Sequence, residues 1–177
     1  TLGIIAADFN NDNYQDLYLS NDFNVPDYFN QNNGDGTFSE IAQLTTTHTS
    51  MFGMGIDAAD FNNDGYTDFL QLDMTAEDYK RSKTNMASMQ PQTFYEAVDL
   101  GFNYQYMQNC LQLNNGVNNQ GQAIFSDISR LAGLATTDWS WGVLFADFDN
   151  DGWKDIFISN GVKRDVNNND VNMAYEQ

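Results

Sequence analysis

The sequence predicts an all-β fold, a segment of a β-propeller, from three observations: short apolar strands, an acidic loop that recurs, and a repeat period of about 50 residues. The loop occurs as Asp8–Asp16, Asp60–Asp68 and Asp147–Asp155; we call these loops 1, 2 and 3 and number their residues 1 to 9. About two and a half four-stranded units fit the chain, whereas closure of a propeller takes about four to eight. We therefore expect the remaining blades to come from the same longer chain or from other subunits.

The first unit, residues 1–50, contains four predicted strands. They span 2–9, 16–20, 27–31 and 37–44, and loop 1 joins the first two. Apolar residues mark each strand, and the Asn- and Gly-rich stretch before the fourth strand accepts positive φ in a hairpin turn. We expect one antiparallel sheet.

The second unit, residues 51–135, carries an insertion. Loop 2 begins 52 residues after loop 1, but loop 3 begins 87 residues after loop 2. The excess falls at about 75–108, where Thr75 and Thr93, each with an acid three residues later, predict the N-caps of two short helices. The third unit, residues 136–177, is a partial blade with loop 3 and the start of a further insertion. The insertion at about 75–108 also contains a basic cluster, formed by Lys80, Arg81 and Lys83. We expect this cluster either to dock on the same propeller or to bind a partner.

Oxygen ligands alternate along each loop, which predicts calcium sites. Positions 1, 3 and 5 carry Asp or Asn, position 7 offers a backbone carbonyl and position 9 is Asp. Hard oxygen donors in this spacing suit Ca²⁺, and carboxylates so close together repel one another without a cation between them. Position 12 is never Glu and a strand is expected to follow, so the loops are not EF-hands. The predicted ligands of up to three structural Ca²⁺ ions are Asp8, Asn10, Asp12, Tyr14 and Asp16; Asp60, Asn62, Asp64, Tyr66 and Asp68; and Asp147, Asp149, Asp151, Trp153 and Asp155.

The loops differ in two ways. Position 6 is glycine in loops 2 and 3 but Asn13 in loop 1, and Asn is the next best residue for a left-handed backbone. Loop 3 has four acids and the others three, so charge predicts the tightest binding there. Positions 2 and 7 are aromatic, and their side chains are expected to pack between blades. The residue at position 7 is expected to bind the metal through its backbone carbonyl only. Position 2 is Phe9, Phe61 or Phe148, and position 7 is Tyr14, Tyr66 or Trp153.

Composition restricts the function. The net charge is −18 and the pI is about 4.1, which argues against nucleic acid and anionic membranes as partners. Of the 25 acidic residues, 21 are Asp, a bias typical of turns and metal loops rather than of a solvated helical surface. One cysteine permits no intrachain disulfide, and this stretch contains no apolar run of transmembrane length.

Other reactive groups have simpler explanations. Cys110 lies on an apolar strand as a small buried hydrophobe, and His48 has no matching nucleophile in the sequence. Trp139 and Trp141 suit an inter-blade wedge better than a sugar-stacking surface. Three further acids offer a hydrolase no obvious pair and fit turns or strand ends: Asp57, Asp73 and Asp127.

The loops, together with Phe52-Gly53, Trp141-Gly142 and Asn32-Asn-Gly-Asp-Gly-Thr-Phe38, resemble FG-GAP/VCBS repeats, as found in the integrin α-subunit propeller. Residues 137–142, loop 3 and residues 160–165 resemble a narrower group, the ASPIC/UnbV (cartilage acidic protein-like) VCBS-repeat proteins, many of them from Bacteroidota. The resemblance implies a propeller, commonly seven-bladed, exported to the periplasm or cell surface. It implies Ca²⁺ between the first and second strands of a blade and no established reaction.

Three functions remain open at this stage. The first is a calcium-stabilised, exported or cell-surface module that binds or scaffolds a protein or glycan. The second is the propeller of a secreted polysaccharide lyase or hydrolase, although no catalytic residue is predicted. The third is an accessory subunit of an outer-membrane assembly.

Overall fold

The computed structural model describes residues 1–22, 25–84 and 91–162. Within these ranges, short strands form three antiparallel sheets and one two-stranded parallel ladder. This confirms the predicted all-β, propeller-like segment. The strands are β1 (Gly3–Ala7), β2 (Asp16–Ser20), β3 (Tyr28–Asn32), β4 (Phe38–Glu40), β5 (Thr49–Ser50), β6 (Ile56–Ala59), β7 (Asp68–Gln71), β8 (Met74–Thr75), β9 (Gln105–Tyr106), β10 (Cys110–Val117), β11 (Ala123–Asp127), β12 (Asp138–Ala146) and β13 (Asp155–Asn160); the helices are α1 (Ala42–Thr45), α2 (Tyr79–Thr84) and α3 (Pro91–Asp99).

Sheet 1 has the order β1-β2-β3-β4, and each strand pairs with its neighbour along the chain. The predicted fourth strand, 37–44, is too long, because the strand ends at Glu40 and α1 follows. The Glu40 side chain accepts the Ala42 amide at 2.9 Å. The Thr45 hydroxyl donates to the Ile41 carbonyl at 3.0 Å, and both contacts favour the helical turn over an extended strand.

Sheet 2 has the order β11-β10-β7-β6. Its middle strands are far apart in the chain but pair directly, with Leu111 opposite Leu70. Loop 2 joins β6 to β7, as loop 1 joins β1 to β2. Sheet 3 contains β13, β12 and β8, and loop 3 joins β12 to β13. Each loop therefore connects two paired antiparallel strands and is followed by a strand.

Helices α2 and α3 lie in the predicted insertion, but their starts differ from the prediction. Thr75 belongs to β8, and Asp78 caps α2 by accepting the Arg81 amide at 2.9 Å. Helix α3 begins at Pro91, a residue suited to the first helical position because it lacks an N–H. The Arg81 guanidinium pairs with Asp138 at 2.7 Å, so this member of the basic cluster docks on the same chain. The insertion predicted after residue 161 lies almost wholly outside the described residues.

Two hydrophobic clusters fill the spaces between sheets. The first joins sheets 1 and 2 through edge-to-face rings, including Phe9 with Phe29 and Phe69. The second joins sheets 2 and 3 and includes Leu70 and Phe145. Phe69 and Leu70 are successive residues of β7, so the two faces of sheet 2 contact different neighbours. None of the described helices has the length and apolarity to span a membrane.

Candidate metal centres

The three loops share one backbone conformation. Positions 4 and 6 both have positive φ in every loop, a region that Gly and Asn tolerate best. Asn13 takes the glycine position of loop 1 with the same left-handed backbone, so the substitution leaves the loop intact. The φ values are 59° and 72° for Asn11 and Asn13, 57° and 90° for Asn63 and Gly65, and 61° and 91° for Asn150 and Gly152.

Backbone amides hold the acid at position 1. In loop 3, the two carboxylate oxygens of Asp147 accept the amides of Asp151 and Gly152, each at 3.0 Å. The Trp153 amide donates to Asp151 at 2.8 Å. Loops 1 and 2 repeat all three hydrogen bonds at distances between 2.8 and 3.0 Å. The side chains at positions 1 and 5 are therefore held in the same arrangement in each loop.

Position 3 separates loop 3 from the others. In loop 3 the oxygens of Asp147, Asp149 and Asp151 lie within 4.8 Å of one another. Asp155 lies outside this group. In loops 1 and 2 the side-chain amides of Asn10 and Asn62 each donate to the position-5 carboxylate at 2.8 Å, which offsets part of its charge.

The donor set of loop 3 fits a hard divalent cation. Three carboxylates converge, and neither ion pair in the described part of the chain involves them. Like charges at this separation repel unless a cation lies between them. The candidate donors are oxygen atoms alone, and Ca²⁺ prefers oxygen donors.

Position 9 is buried in two loops and exposed in the third. Asp16 and Asp68 accept the position-2 amide of their own loop, at 3.3 Å and 3.2 Å respectively. Each also accepts an amide from the next strand of the sheet at 2.8 Å, that of Asn32 for Asp16 and that of Asn114 for Asp68. Burial raises the pKa of Asp16 and of Asp68 to about 6. Asp155 is exposed and accepts the Phe148 amide at 2.9 Å.

Side chains also link each loop to the next. The Asn11 amide donates to the Gly65 carbonyl at 3.1 Å, and the Asn63 amide donates to the Gly152 carbonyl at the same distance. Both hydrogen bonds run from position 4 of one loop to position 6 of the following loop. The three loops thus form a continuous row along one edge of the segment.

A sequence model of the FG-GAP-like repeat matches residues 3–70 and 98–158, more than half of the chain. The chain belongs to the FG-GAP-like repeat family. No curated protein matches it. Membership makes the chain a β-propeller-type binding module, and the two matched ranges contain all three loops.

The Phe52-Gly53 dipeptide lies in the core. Phe52 is buried in the second hydrophobic cluster. A Cβ atom at Gly53 would collide with the side chain of Gln71 and would lie 2.6 Å from the Ser20 hydroxyl, so only glycine fits. Asp73 holds this turn by accepting the Phe52 amide at 3.0 Å and the Ser50 hydroxyl at 2.6 Å.

The three acids considered for catalysis have structural contacts. Burial raises the pKa of Asp73 to about 6, against the lowering effect of its hydrogen bonds to the FG turn. Asp57 accepts the Phe145 amide at 2.8 Å and so joins sheets 2 and 3. Asp127 accepts the amide and hydroxyl of Ser129 at the end of β11. Each of the three acids therefore accepts a hydrogen bond that holds a turn or joins two sheets.

The two tryptophans have different surroundings. Trp139 packs against the second cluster, between sheets 2 and 3. Trp141 is half-exposed, and its indole N–H donates to the Gly161 carbonyl at 2.9 Å. The inter-blade wedge was predicted for both residues, and among the described sheets only Trp139 packs in this way.

Two polar clusters were not predicted. In one, buried Asp27 accepts the Tyr18 hydroxyl at 3.0 Å and the Gln71 amide at 2.8 Å; burial raises the pKa of Asp27 to about 7. In the other, His48 contacts Asp127 at 2.8 Å beside buried Cys110. Sequence spacing gives no sign of either cluster. The cluster of His48, Asp127 and Cys110 becomes evident only from the pairing of β10 with β11, which sets Gln112 opposite Asp127.

Proposed function

We propose that this chain is a calcium-stabilised segment of an exported or cell-surface β-propeller of the ASPIC/UnbV type, with integrin-like calcium loops, which binds or scaffolds a protein or glycan. The observation that carries the proposal is the convergence of three uncompensated carboxylates in loop 3, within a hydrogen-bond pattern that all three loops repeat. Bound Ca²⁺ supplies the missing positive charge. Calcium sites of extracellular modules are weak, with Kd values of about 10⁻⁴–10⁻³ M, and fill at the millimolar concentrations found outside cells.

The exposed apolar faces at both ends of the segment support further blades. Ile4 on β1 is 61% exposed and Phe157 on β13 is 56% exposed, although both belong to strands. The equivalent faces between sheets 1, 2 and 3 are buried in the two hydrophobic clusters. Additional blades, from a longer chain or from other subunits, would bury the outer faces in the same way.

A binding role agrees better with the acids of the chain than an enzymatic one does. Asp57, Asp73 and Asp127 already accept hydrogen bonds that hold turns and sheets together. A catalytic carboxylate needs access to its substrate. Insertions and loops at one face of the propeller would carry the ligand, and a position outside the cytosol would supply the calcium.

Calcium titration of the chelator-treated chain tests the proposal. We expect up to three equivalents to bind and the thermal midpoint to rise. At free calcium about tenfold above Kd, each filled site adds about 1.4 kcal/mol to the free energy of unfolding. Asp151→Asn, in the four-acid loop, should lower total affinity more than Asp12→Asn in loop 1.

Asp99→Asn is the matched control, because it removes one exposed negative charge at the end of α3 and no loop ligand. It should bind calcium like the unaltered chain. A chelator-treated chain that binds no calcium at millimolar concentration contradicts the proposal. Equal losses in the Asp151 and Asp12 variants contradict only the ranking of the loops.

A further inference from the structure

Three side chains of different ligand types meet where the β10–β11 hairpin faces the segment before β5. A ring nitrogen of His48, the Cys110 Sγ and a carboxylate oxygen of Asp127 all lie within 4.8 Å of one another. Nitrogen, sulfur and oxygen donors in combination are typical of zinc sites, whereas calcium takes oxygen alone. This cluster is therefore chemically distinct from the acidic loops.

The fold fixes the three positions. Gln112 on β10 lies opposite Asp127 on β11, and Cys110, two residues before Gln112, projects from the same face of the strand. The Gln112 side-chain amide donates to the His48 carbonyl at 3.1 Å, which ties the third segment to β10. Cys110 is fully buried, and the side chains of His48 and Asp127 are only 15% and 6% exposed. Two of the three side chains lie on paired strands, and all three are largely shielded from solvent, so the site is prearranged rather than a chance surface grouping.

Two buried polar atoms beside the cluster lack partners. Gln112 Oε1 and Thr49 Oγ1 are inaccessible to solvent and have no hydrogen-bond partner among the described residues. Thr49 follows His48 in the chain, and Gln112 contacts the His48 carbonyl. Because buried polar atoms are nearly always satisfied by protein or ordered water, a water or another polar species is expected beside these two atoms.

The electrostatic surroundings favour a cation. Burial, and then the carboxylates of Asp127, Asp73 and Asp27, raise the pKa of the Cys110 thiol. The Gln108 side-chain amide donates to the Asp127 carboxylate at 2.8 Å and lies 3.0 Å from His48 Nε2, and Arg130 donates to the Gln108 side-chain oxygen at 2.9 Å. The negative charge around the thiol favours a divalent metal bound to the sulfur.

We propose that His48, Cys110 and Asp127 bind a Zn²⁺ ion, with water at the fourth position. On binding, the thiol loses its proton to solvent and the sulfur bonds to the metal. In the bound state the ring proton of His48 lies on Nδ1, which is 3.2 Å from the Thr47 hydroxyl, so Nε2 is free to coordinate. Tetrahedral zinc separates nitrogen and oxygen ligands by about 3.4 Å, so the His48–Asp127 contact of 2.8 Å opens by about 0.6 Å.

Cobalt substitution on the full chain tests this site. The chain is kept reduced and saturated with calcium, so that the acidic loops are filled, and is then titrated with Co²⁺ and with Zn²⁺. We expect one Co²⁺ to give a thiolate-to-cobalt charge-transfer band, which Zn²⁺ abolishes. Cys110→Ser should remove the band and weaken zinc binding by more than about 100-fold, beyond the usual effect of an outer-shell change, whereas Thr47→Val should weaken it by about tenfold.

His48→Gln provides a second ligand variant at a partly exposed position, in case Cys110→Ser does not fold. It should weaken zinc binding as Cys110→Ser does, while Asp99→Asn should leave it unchanged. The proposal is overturned if the unaltered chain shows no charge-transfer band, or if zinc affinity is the same in both ligand variants as in the unaltered chain. Calcium binding by the loops is unaffected by either result.

Discussion

Loops 1 and 3 have the same backbone and the same internal hydrogen bonds but very different surroundings. In loop 1, Phe9 at position 2 is fully buried and Asp16 at position 9 is 1% exposed. In loop 3, Phe148 at position 2 is 57% exposed, and Asp155 is exposed as well. The nine residues therefore determine the conformation of the loop, whereas the neighbouring sheet determines which of its side chains are buried.

Loop 2 shows the intermediate case. Phe61 is partly buried and stacks on Phe145 of sheet 3 at a ring separation of 6.3 Å. Its acid at position 9, Asp68, is as buried as Asp16 and accepts the corresponding strand amide. The aromatic side chain at position 2 thus becomes more exposed from loop 1 to loop 3, because fewer sheets pack around the later loops, although the repeat sequence hardly changes.

Truncation at position 2 should show the largest difference between the loops. Phe9→Ala removes a ring that makes edge-to-face contacts with Phe29, Phe69 and Phe125, and we expect it to lower the free energy of unfolding by about 3–5 kcal/mol. Phe148→Ala removes a mostly exposed ring and should cost less than about 0.5 kcal/mol. Denaturant unfolding in calcium measures both. Equal losses would show that loop strain, rather than packing between sheets, determines the cost.

Buried carboxylates extend the comparison to pH. Burial raises the pKa of Asp27 from 3.8 to about 7 in the folded chain. The folded chain therefore binds this proton more tightly than the unfolded chain. The contribution of Asp27 to the free energy of unfolding is complete below about pH 4 and decreases as the pH rises toward 7. We expect Asp27 to contribute a decrease on the order of 3 kcal/mol over that range.

Asp27→Asn should remove this part of the pH dependence, because the amide does not ionise. Unfolding at pH 5 and pH 8, in saturating calcium, gives the slope for each chain. Asp138→Asn is the control: its carboxylate, on sheet 3, is only partly buried and pairs with Arg81, which lowers its pKa. If the free energy of unfolding depends on pH in the Asp27 variant as it does in the unaltered chain, a group other than Asp27 causes that dependence.

An exchange at position 3 compares the loops directly. Asn62→Asp gives loop 2 the four acids of loop 3, and Asp149→Asn gives loop 3 the composition of loop 2. The extra acid should raise calcium affinity by about tenfold and lower the stability of the calcium-free chain by about 1 kcal/mol, because it replaces an amide hydrogen bond of 2.8 Å with repulsion. The reverse exchange should have the opposite effects. Calorimetric titration and chelator-treated melting curves measure them, and changes of the same sign would refute the charge argument.

The sequence predicted the repeated features better than the interactions between repeats. Strand β2 and the loops followed from residue type and spacing alone, because local backbone preference decides them. The N-cap of α2 was misplaced from Asp78 to Thr75, since both residues cap helices well and only pairing with β12 makes Thr75 a strand residue. The cluster of His48, Cys110 and Asp127 was missed because His48 lies far in the chain from the β10–β11 hairpin, and the geometry of the cluster depends on the register of β10 with β11.

The smallest expected effect concerns the hydrogen bonds that join the loops in a row. Asn63 at position 4 of loop 2 donates to the Gly152 carbonyl of loop 3, whereas Asn150, at position 4 of loop 3, has no side-chain hydrogen bond within the described residues. Both have positive φ, so glycine is tolerated at either position. Asn63→Gly should therefore cost about 0.5–1.5 kcal/mol more than Asn150→Gly in this chain, the usual contribution of one hydrogen bond.

The calcium affinity of loop 3 separates two explanations of that row. If the hydrogen bond from Asn63 helps to hold the Gly152 turn in its binding conformation, Asn63→Gly weakens calcium binding by loop 3 without touching a ligand. Asp151→Asn in the same background identifies which loop has lost affinity, because it removes the contribution of loop 3. If the hydrogen bonds between loops have no effect on the binding conformation, Asn63→Gly leaves the calcium affinity of loop 3 unchanged. Each loop would then bind calcium independently of its neighbours. A loss of affinity instead means that each blade prearranges the metal site of the next.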